Sequence, residues 1–448
     1  MLQSILFLLV AGGALGYAFF QFSKIRQNIL LGQAEAVTGP NSQRWQNMTL
    51  VAFGQKKMFK KWLPAVLHFL LYVAFVFTQI ELIEIFIDGI FHVHRFFAPI
   101  LGGFYTFIIS TIEVLSVLAF VATLAFLIRR NALKIPRFIK PEMNGWPKLD
   151  ANLILIFELI LLVCIFTMNG TDVVLQERGD PHYVQTGSFA VSSWLGPMLF
   201  GSLDTGALKV LERIGWWGHI LMVFWFLNYL PVSKHLHIIL AFPNTFYARL
   251  RPRGEMENMP AIMNEVKSMM DPNAPIEAAP MDEELPEFGA NDVTGLSWID
   301  LLGAYSCTEC GRCTEQCPAN ITGKKLSPRK IVMDVRDRME EVGEKIRSGN
   351  TEFCKDAEQP LSKDNFDDGK SLWDYISREE IHACTTCNAC VEACPVLISP
   401  LEPILALRRH EILTESAGPT DWLPLFNSIE NSQAAWSVST SREAWIQG

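Results

Sequence analysis

Basic residues never gather into a stripe in this sequence of 448 residues: 38 Lys and Arg stand against 47 Asp and Glu, a formal net charge of −9, and charged residues make up only 19%. With no basic stripe dominating the second half of the chain, that balance argues against a nucleic-acid partner. A basic segment is also missing before the first apolar run, "MLQSILFLLVAGGALGYAFFQF", which is as long as a spanning helix needs. It therefore reads as an uncleaved first span and not as a secretory signal. Cysteine is nearly absent outside two short stretches, with Cys164 and Cys354 the exceptions among ten. Thiols packed that closely fit metal ligation better than a secreted disulfide framework.

What is present divides the chain in two. Up to about residue 245 Leu, Ile, Phe, Val and Trp dominate, and the rest is charged and Pro-rich. The expected fold is mainly α: a five-helix transmembrane bundle over 1–245, a linker over 246–296, a ferredoxin-type domain over 297–414 and a partner-binding tail over 415–448. Spans are expected at about 1–21, 62–87, 101–128, 151–169 and 214–240, each near the roughly 20 residues that cross a hydrocarbon core. Basic clusters at Lys24 to Lys61, Arg129 to Lys140 and Arg249 to Arg253 fall in alternate loops. By the positive-inside rule the amino terminus is outside and the charged half cytoplasmic.

Histidine placement suggests what the membrane half holds. His68 lies about two turns into the second span and His237 at the end of the fifth; the two spans run in opposite directions, so both imidazoles reach a similar depth. Such a pair suits a b-type haem held between helices. His219, 18 residues before His237, would share its helix face at roughly 27 Å along the axis, and His235 would be turned away. A second haem at His219 would have only Thr78 and Gln79 opposite, unless His92 or His94 folds in. Glu113 and Glu158, near mid-span, are candidate proton or quinone contacts, or neutral hydrogen-bonded acids within the bundle. Cys164 reads as a small packing residue.

The two cysteine stretches are "CTECGRCTEQCP" at 307–318 and "CTTCNACVEACP" at 384–395. Each is a C-x2-C-x2-C-x3-C-P run, the spacing of bacterial two-cluster ferredoxins, in which the fourth cysteine of one run ligates the other cluster. Cys307, Cys310, Cys313 and Cys394 are thus assigned to one 4Fe–4S cluster, and Cys384, Cys387, Cys390 and Cys317 to the other. Zinc takes four ligands, which leaves the third cysteine and the Cys-Pro of each run without a purpose. Between the runs, "SPRKIVMDVRDRMEEVGEKIRSG" reads as a charged surface helix ending at Gly. The acidic, Pro-rich "PNAPIEAAPMDEELPEFG" reads as a linker. The tail, with Trp422, Trp436 and Trp445, is too aromatic for plain disorder and is expected to order on a partner.

Two resemblances follow from these residues. "LPVSKHLHII", 230–239, resembles the haem-ligand segment of the gamma subunit of respiratory nitrate reductase. It implies haem b ligation by His237 and His68, with His219 on the other fifth-span ligand position and Thr78 where that family has a further histidine. "CTECGRCTEQCPANITGKKLSPRKIVMDVR" resembles the ferredoxin part of the D-type proteins of heterodisulfide reductase. Larger members of that class continue into cysteine-rich CCG domains. No CCG cysteine pair occurs here, which implies a partner subunit carrying those domains.

The resemblances imply a multi-pass electron-transfer subunit in the inner membrane of a bacterium, working between a cytoplasmic CCG-domain partner, fed by an electron-transfer flavoprotein, and menaquinone. Its cofactors would be two 4Fe–4S clusters and one haem b, or two, with His235, Glu113 or Glu158 handling protons at the quinone. The alternatives are a menaquinol-oxidising subunit of a thiol/disulfide reductase, or a membrane anchor without haem.

Overall fold

A computed structural model describes residues 2–271, 287–355, 359–436 and 443–446. Within the linker expected over 246–296, residues 272–286 lie outside the described residues. The helices used below are α1 (Leu2–Ile29), α2 (Trp62–Phe91), α3 (Gly103–Asn131), α4 (Trp146–Glu177), α5 (Ser192–Phe200), α6 (Thr205–Tyr229), α7 (His237–Tyr247), α8 (Pro260–Met270), α9 (Trp298–Tyr305), α10 (Pro328–Ser348), α11 (Leu401–Arg409) and α12 (Trp422–Ser432). No strand occurs among the described residues.

Five helices are long and apolar enough to cross a membrane: α1, α2, α3, α4 and α6 with its terminal turn. Most run past the expected bounds, because polar residues within a turn or two of an apolar stretch still complete helical hydrogen bonds. The fifth differs in kind. Instead of one helix over 214–240, α6 starts at Thr205 under an Asp204 cap that accepts from the Ala207 amide at 3.0 Å. It stops at Tyr229, since Pro231 cannot donate and forces 3-10 turns over 230–236. His237 then opens a separate helix. His219 and His237 therefore do not share one helix face, and the axial spacing expected between them does not apply.

The two halves of the chain share one core. Ile25 and Leu31 from the end of α1, and Leu236 before α7, are buried with Val293, Leu301, Tyr305, Ile331, Val335, Met339 and Val342. Asn28 donates to the Tyr305 hydroxyl at 2.7 Å, and Gln33 pairs with the chain near Ser297 through backbone bonds of 2.7 and 3.1 Å. The charged α10 is not a surface helix. Ile331, Val335, Met339 and Val342 recur at helical spacing and bury one face, and Arg329 and Arg338 are fully buried. Arg338 forks onto Asp368 at 2.7 and 2.8 Å and onto Asp292, so its charge is compensated where water is excluded.

Candidate electron-transfer centres

Each cysteine run folds around a short left-handed stretch. Glu309 and Gly311 in the first, and Thr386 and Asn388 in the second, have φ of 53°, 71°, 55° and 61° at matching positions. This tight loop lets an amide point at sulfur: Glu309 N donates to Cys307 Sγ, and Thr386 N to Cys384 Sγ, both at 3.4 Å. Ile398 N donates to Cys394 Sγ at 3.3 Å.

The thiols sort into two sets that cross the runs. Burial, then the charges of Cys310 and Cys394, push Cys307 up to about 12. Burial followed by Cys307, Cys310 and Cys394, with a last and smallest contribution from Cys390 of the other set, raises Cys313. In the other set, burial and the charges of Cys384, Cys317 and Cys387 push Cys390 up to about 12. Cys394 thus stands with the first run and Cys317 with the second, which fits the donor chemistry of two mutually ligated clusters. Thiolates so buried and so close repel one another unless a cation lies among them, and iron reverses that penalty. Among the described residues no three such side chains converge on a single metal ion; an iron–sulfur cube holds its thiolates farther apart than one ion does.

The histidines form a second centre at the near end of the bundle. His68 and His237 have ring centroids 6.3 Å apart. That separation leaves room for a haem iron, which His68 and His237 would hold between them. Each ring uses Nδ1 for a protein partner, Gln55 Oε1 for His68 and the Lys234 carbonyl for His237, both at 3.1 Å. Nε2 is left for a metal, the usual division of labour in an iron-bound histidine. His235, expected to point away, lies with its ring 5.3 Å from that of His237, because the 3-10 turn brings both to one side.

Elsewhere the expected residues meet other neighbours. His219 on α6 has a buried Nδ1 without a hydrogen bond. His94 is engaged with His182, Tyr183 and Asp172. Glu113 accepts the Val191 and Ser192 amides at 2.7 and 3.0 Å, holding the start of α5, while Glu158 is half-buried midway along α4. Cys164 Sγ packs where a Cβ on Gly218 would fall.

Several bonds tie the histidine centre to the Cys307 set. Lys234 pairs with Glu309, which is 3% exposed and also takes Arg336 at 2.8 Å. Burial works against the Glu309 charge, yet Lys234 and Arg336 hold its carboxyl below the usual range. Ser306 donates to the Leu240 carbonyl at 3.2 Å, and Asn244 to that of Val396 at 2.6 Å, so α7 touches the residues beside both Cys307 and Cys394. Arg312 reaches the Lys57 carbonyl at 3.2 Å, and Arg137 holds Glu315 at 2.9 Å. Asp150, 1% exposed, fixes the intervening turn by accepting from Tyr229, Ser233 and the Lys234 amide at 2.6, 2.7 and 3.0 Å. Asp150, Gln55, Lys57 and Glu309 are candidate site residues, by their contacts, that sequence reasoning misses. The polar run "SKH" beside Pro231 is the one signal that the turn needs an anchor.

A family model described as a 4Fe-4S dicluster domain matches residues 306–398. This part of the chain is a 4Fe–4S dicluster domain. Over nearly its whole length the chain is similar to a probable iron-sulfur-binding oxidoreductase of Bacillus subtilis, 30% identical over 99% of this chain and 60% of that protein. It is 26% identical to the EtfAB:quinone oxidoreductase of Syntrophomonas wolfei over 90% of this chain and 54% of that one. The D-type component of the dihydromethanophenazine:CoB–CoM heterodisulfide reductase of Methanosarcina mazei is 31% identical over 29% of this chain and 28% of its own length. The chain thus spans between half and two thirds of the two longer-matching relatives. No solved structure matches it significantly.

Proposed function

We propose that the chain is a membrane-anchored electron-transfer subunit of an oxidoreductase, acting between a cytoplasmic partner and menaquinone, with two 4Fe–4S clusters and one haem b as its cofactors. The observation that carries this reading is the bonded bridge between the two centres. The helix opened by His237 is held through Leu240 and Asn244 to the residues beside Cys307 and Cys394.

His68 and His237 would hold the haem, and the eight cysteines the clusters in the two sets given above. When bound, these groups supply one-electron carriers; the protein's part is to fix their spacing and exclude water. Gln55 and the Lys234 carbonyl orient the two imidazoles, and Asp150 keeps the Lys234 turn in place. His235 or Glu158 is the proposed proton-handling residue at a quinone, ahead of Glu113, whose carboxylate already accepts the Val191 and Ser192 amides. The basic loops, Lys57 to Lys61 and Arg137 among them, meet the iron–sulfur unit, which favours a cytoplasmic location for that end under the positive-inside rule.

The relative named an EtfAB:quinone oxidoreductase favours electrons arriving from an electron-transfer flavoprotein through a CCG-domain subunit. Similarity of the ferredoxin part to a component of heterodisulfide reductase supports the reverse reading, menaquinol oxidation toward a disulfide. A reduced-minus-oxidised spectrum of the detergent-purified chain, with haem and iron quantified, tests the assignment. One b-type haem and about eight irons are expected, with haem lost in His68→Ala and His237→Ala and kept in His219→Ala. Iron–sulfur absorption without a Soret band would reduce the membrane half to an anchor. Cluster reduction by reduced flavoprotein plus its CCG partner, compared with reduction by menaquinol, decides the direction.

A further inference from the structure

The end of the bundle remote from the iron–sulfur unit holds buried charges that neither centre uses. Glu81, Glu84 and Asp88 lie on successive turns of α2, opposite Asp172 of α4, around a single guanidinium, Arg95. Glu81, Glu84, Arg95 and Asp172 are 1%, 2%, 4% and 1% exposed. Arg95 donates to Asp172 Oδ2 at 2.9 Å, to the Tyr105 hydroxyl at 3.2 Å and to Asn169 Oδ1 at 2.6 Å, and stands 3.7 Å from Glu81 Oε1. It sits in a loop where His92 and Arg95 itself have left-handed φ of 56° and 53°, a conformation that the surrounding bonds must hold.

The hydrogen bonds show which carboxyl is left over. Glu84 takes the Phe97 amide at 2.9 Å and the Tyr105 hydroxyl at 2.6 Å. Asp88 takes the amides of Arg95 and Phe96 at 2.9 and 3.1 Å. Asp172 has Arg95 and Gln176, the latter at 3.0 Å. His94 is committed on both nitrogens: its Nδ1 lies 3.2 Å from the Val184 amide and its Nε2 3.2 Å from Asp172 Oδ1. The groups around the cluster do not help either. On α6, Glu212 is paired with Arg213 at 2.7 Å, with Tyr183 3.4 Å from the same carboxylate, and on α3 Glu113 is another acid. His182 lies beside His94, ring centroids 6.1 Å apart. Glu81 has only long contacts, both on Oε1: the Arg95 guanidinium at 3.7 Å and the Asn169 amide at 3.4 Å, while its Oε2 has no hydrogen-bond partner. Glu81 is one of the residues lining a cavity of about 30 Å³, which Glu84, Asp88, Glu212, Arg95 and Arg213 also line. The space suits roughly two waters.

Four carboxylates around one fixed cation, in a site walled by apolar helices, cannot all be ionised. We propose that Glu81 is a proton-carrying acid of the membrane domain, exchanging its proton with the solution through this cavity. The step is a proton transfer alone. The Glu81 O–H bond breaks as a cavity water becomes hydronium, the carboxylate left behind faces Arg95, and a proton returning from the same side restores the acid. The inference needs neither haem nor quinone, so it stands or falls separately from the proposed function.

The test is infrared spectroscopy of the full chain in lipid nanodiscs, in H2O and D2O, on the wild type, Glu81→Gln and Glu81→Asp. The wild type should show a carboxylic-acid C=O band at neutral pH that shifts in D2O, is lost in Glu81→Gln, and returns displaced in Glu81→Asp. Iron–sulfur absorption and elution volume report folding in each variant. A wild type without the band, a band that survives in folded Glu81→Gln, or one that never shifts in D2O overturns the proposal. Should Glu81→Gln fail to fold, a Glu81→Asp band at the wild-type position would overturn it equally.

Discussion

Lys57 offers the sharpest check on how the membrane half meets the iron–sulfur unit. Its ammonium is buried without a hydrogen-bond partner, and burial, partly offset by the nearby Cys394, brings it down to about 8, so it is still mainly charged at neutral pH. A fixed positive charge beside a ligand thiolate favours the reduced, more negative cluster. Taking a separation of roughly 7–10 Å and an effective dielectric of about 20, Coulomb's law gives about 1.7–2.4 kcal/mol, or about 70–100 mV for a one-electron couple. Lys57→Met keeps the apolar stem and removes the charge. In a redox titration followed by electron paramagnetic resonance, the potential of the Cys394-ligated cluster should fall by about that amount, while the other moves clearly less, since none of its cysteines figures among the charges acting on Lys57. Lys57→Arg should restore the wild-type value. An equal shift of both clusters, or a shift of neither, would refute the placement of Lys57 beside the first cluster alone.

The other outcomes follow from single contacts. Cys394→Ala should remove the spectroscopic signature of the cluster built on Cys307, Cys310 and Cys313, although Cys394 lies in the second run, and Cys317→Ala should spare it; the opposite pattern would mean each run completes its own cluster. Gly343→Ala sets a Cβ 2.0 Å from Asn28 Oδ1, where α10 meets α1, and should cost about 1–3 kcal/mol by overpacking, seen as a lower midpoint for thermal bleaching of the clusters. The pH dependence of that midpoint has two opposed parts. Burial pushes Asp334 up to about 6, so its charge destabilises the fold above that pH and the cost disappears as it protonates on acidification. Asp368 behaves oppositely: burial opposes its charge, but Arg338 and Lys345 hold its carboxyl well below the usual range, so its contribution is present above about pH 4 and lost below it. The midpoint should rise slightly from pH 7 toward about 5 and fall below about 4; Asp334→Asn should abolish the rise, and a fall beginning near pH 6 would point to a histidine instead.

The parts of the fold and site visible in the sequence are those governed by local repetition. Apolar runs mark five spans, and two copies of one cysteine spacing mark the thiols. What the sequence hides is set by geometry between distant segments. The apolar run through residue 240 conceals the helix break, because Pro231 interrupts hydrogen bonding without interrupting hydrophobicity. The charge-rich α10 looks solvated because its charges outnumber its apolar stripe, although Ile331, Val335, Met339 and Val342 stand at helical spacing and can be counted. Glu81 is inconspicuous in "QIELIEIF" because α2 is apolar on average, and only the loop carrying Arg95, more than ten residues on, shows why acids are tolerated there.

The shared core also bears on how the two halves work together. A ferredoxin unit on a flexible tether would sample many distances from the membrane, and electron transfer would then depend on encounter. Here α1 runs beyond the apolar span to place Ile25, Asn28 and Leu31 against α9 and α10, while α7 grips the two cluster loops through Leu240 and Asn244. Moving the cluster loops away from His237 would expose Leu236, Leu301 and Val335 together, and each large aliphatic side chain uncovered costs about 1.5–3 kcal/mol. Motion of the iron–sulfur unit as a whole is therefore disfavoured by several such terms at once. The fixed spacing between the His237 turn and the Cys307 set follows from packing and not from the length of the connection through residues 248–296.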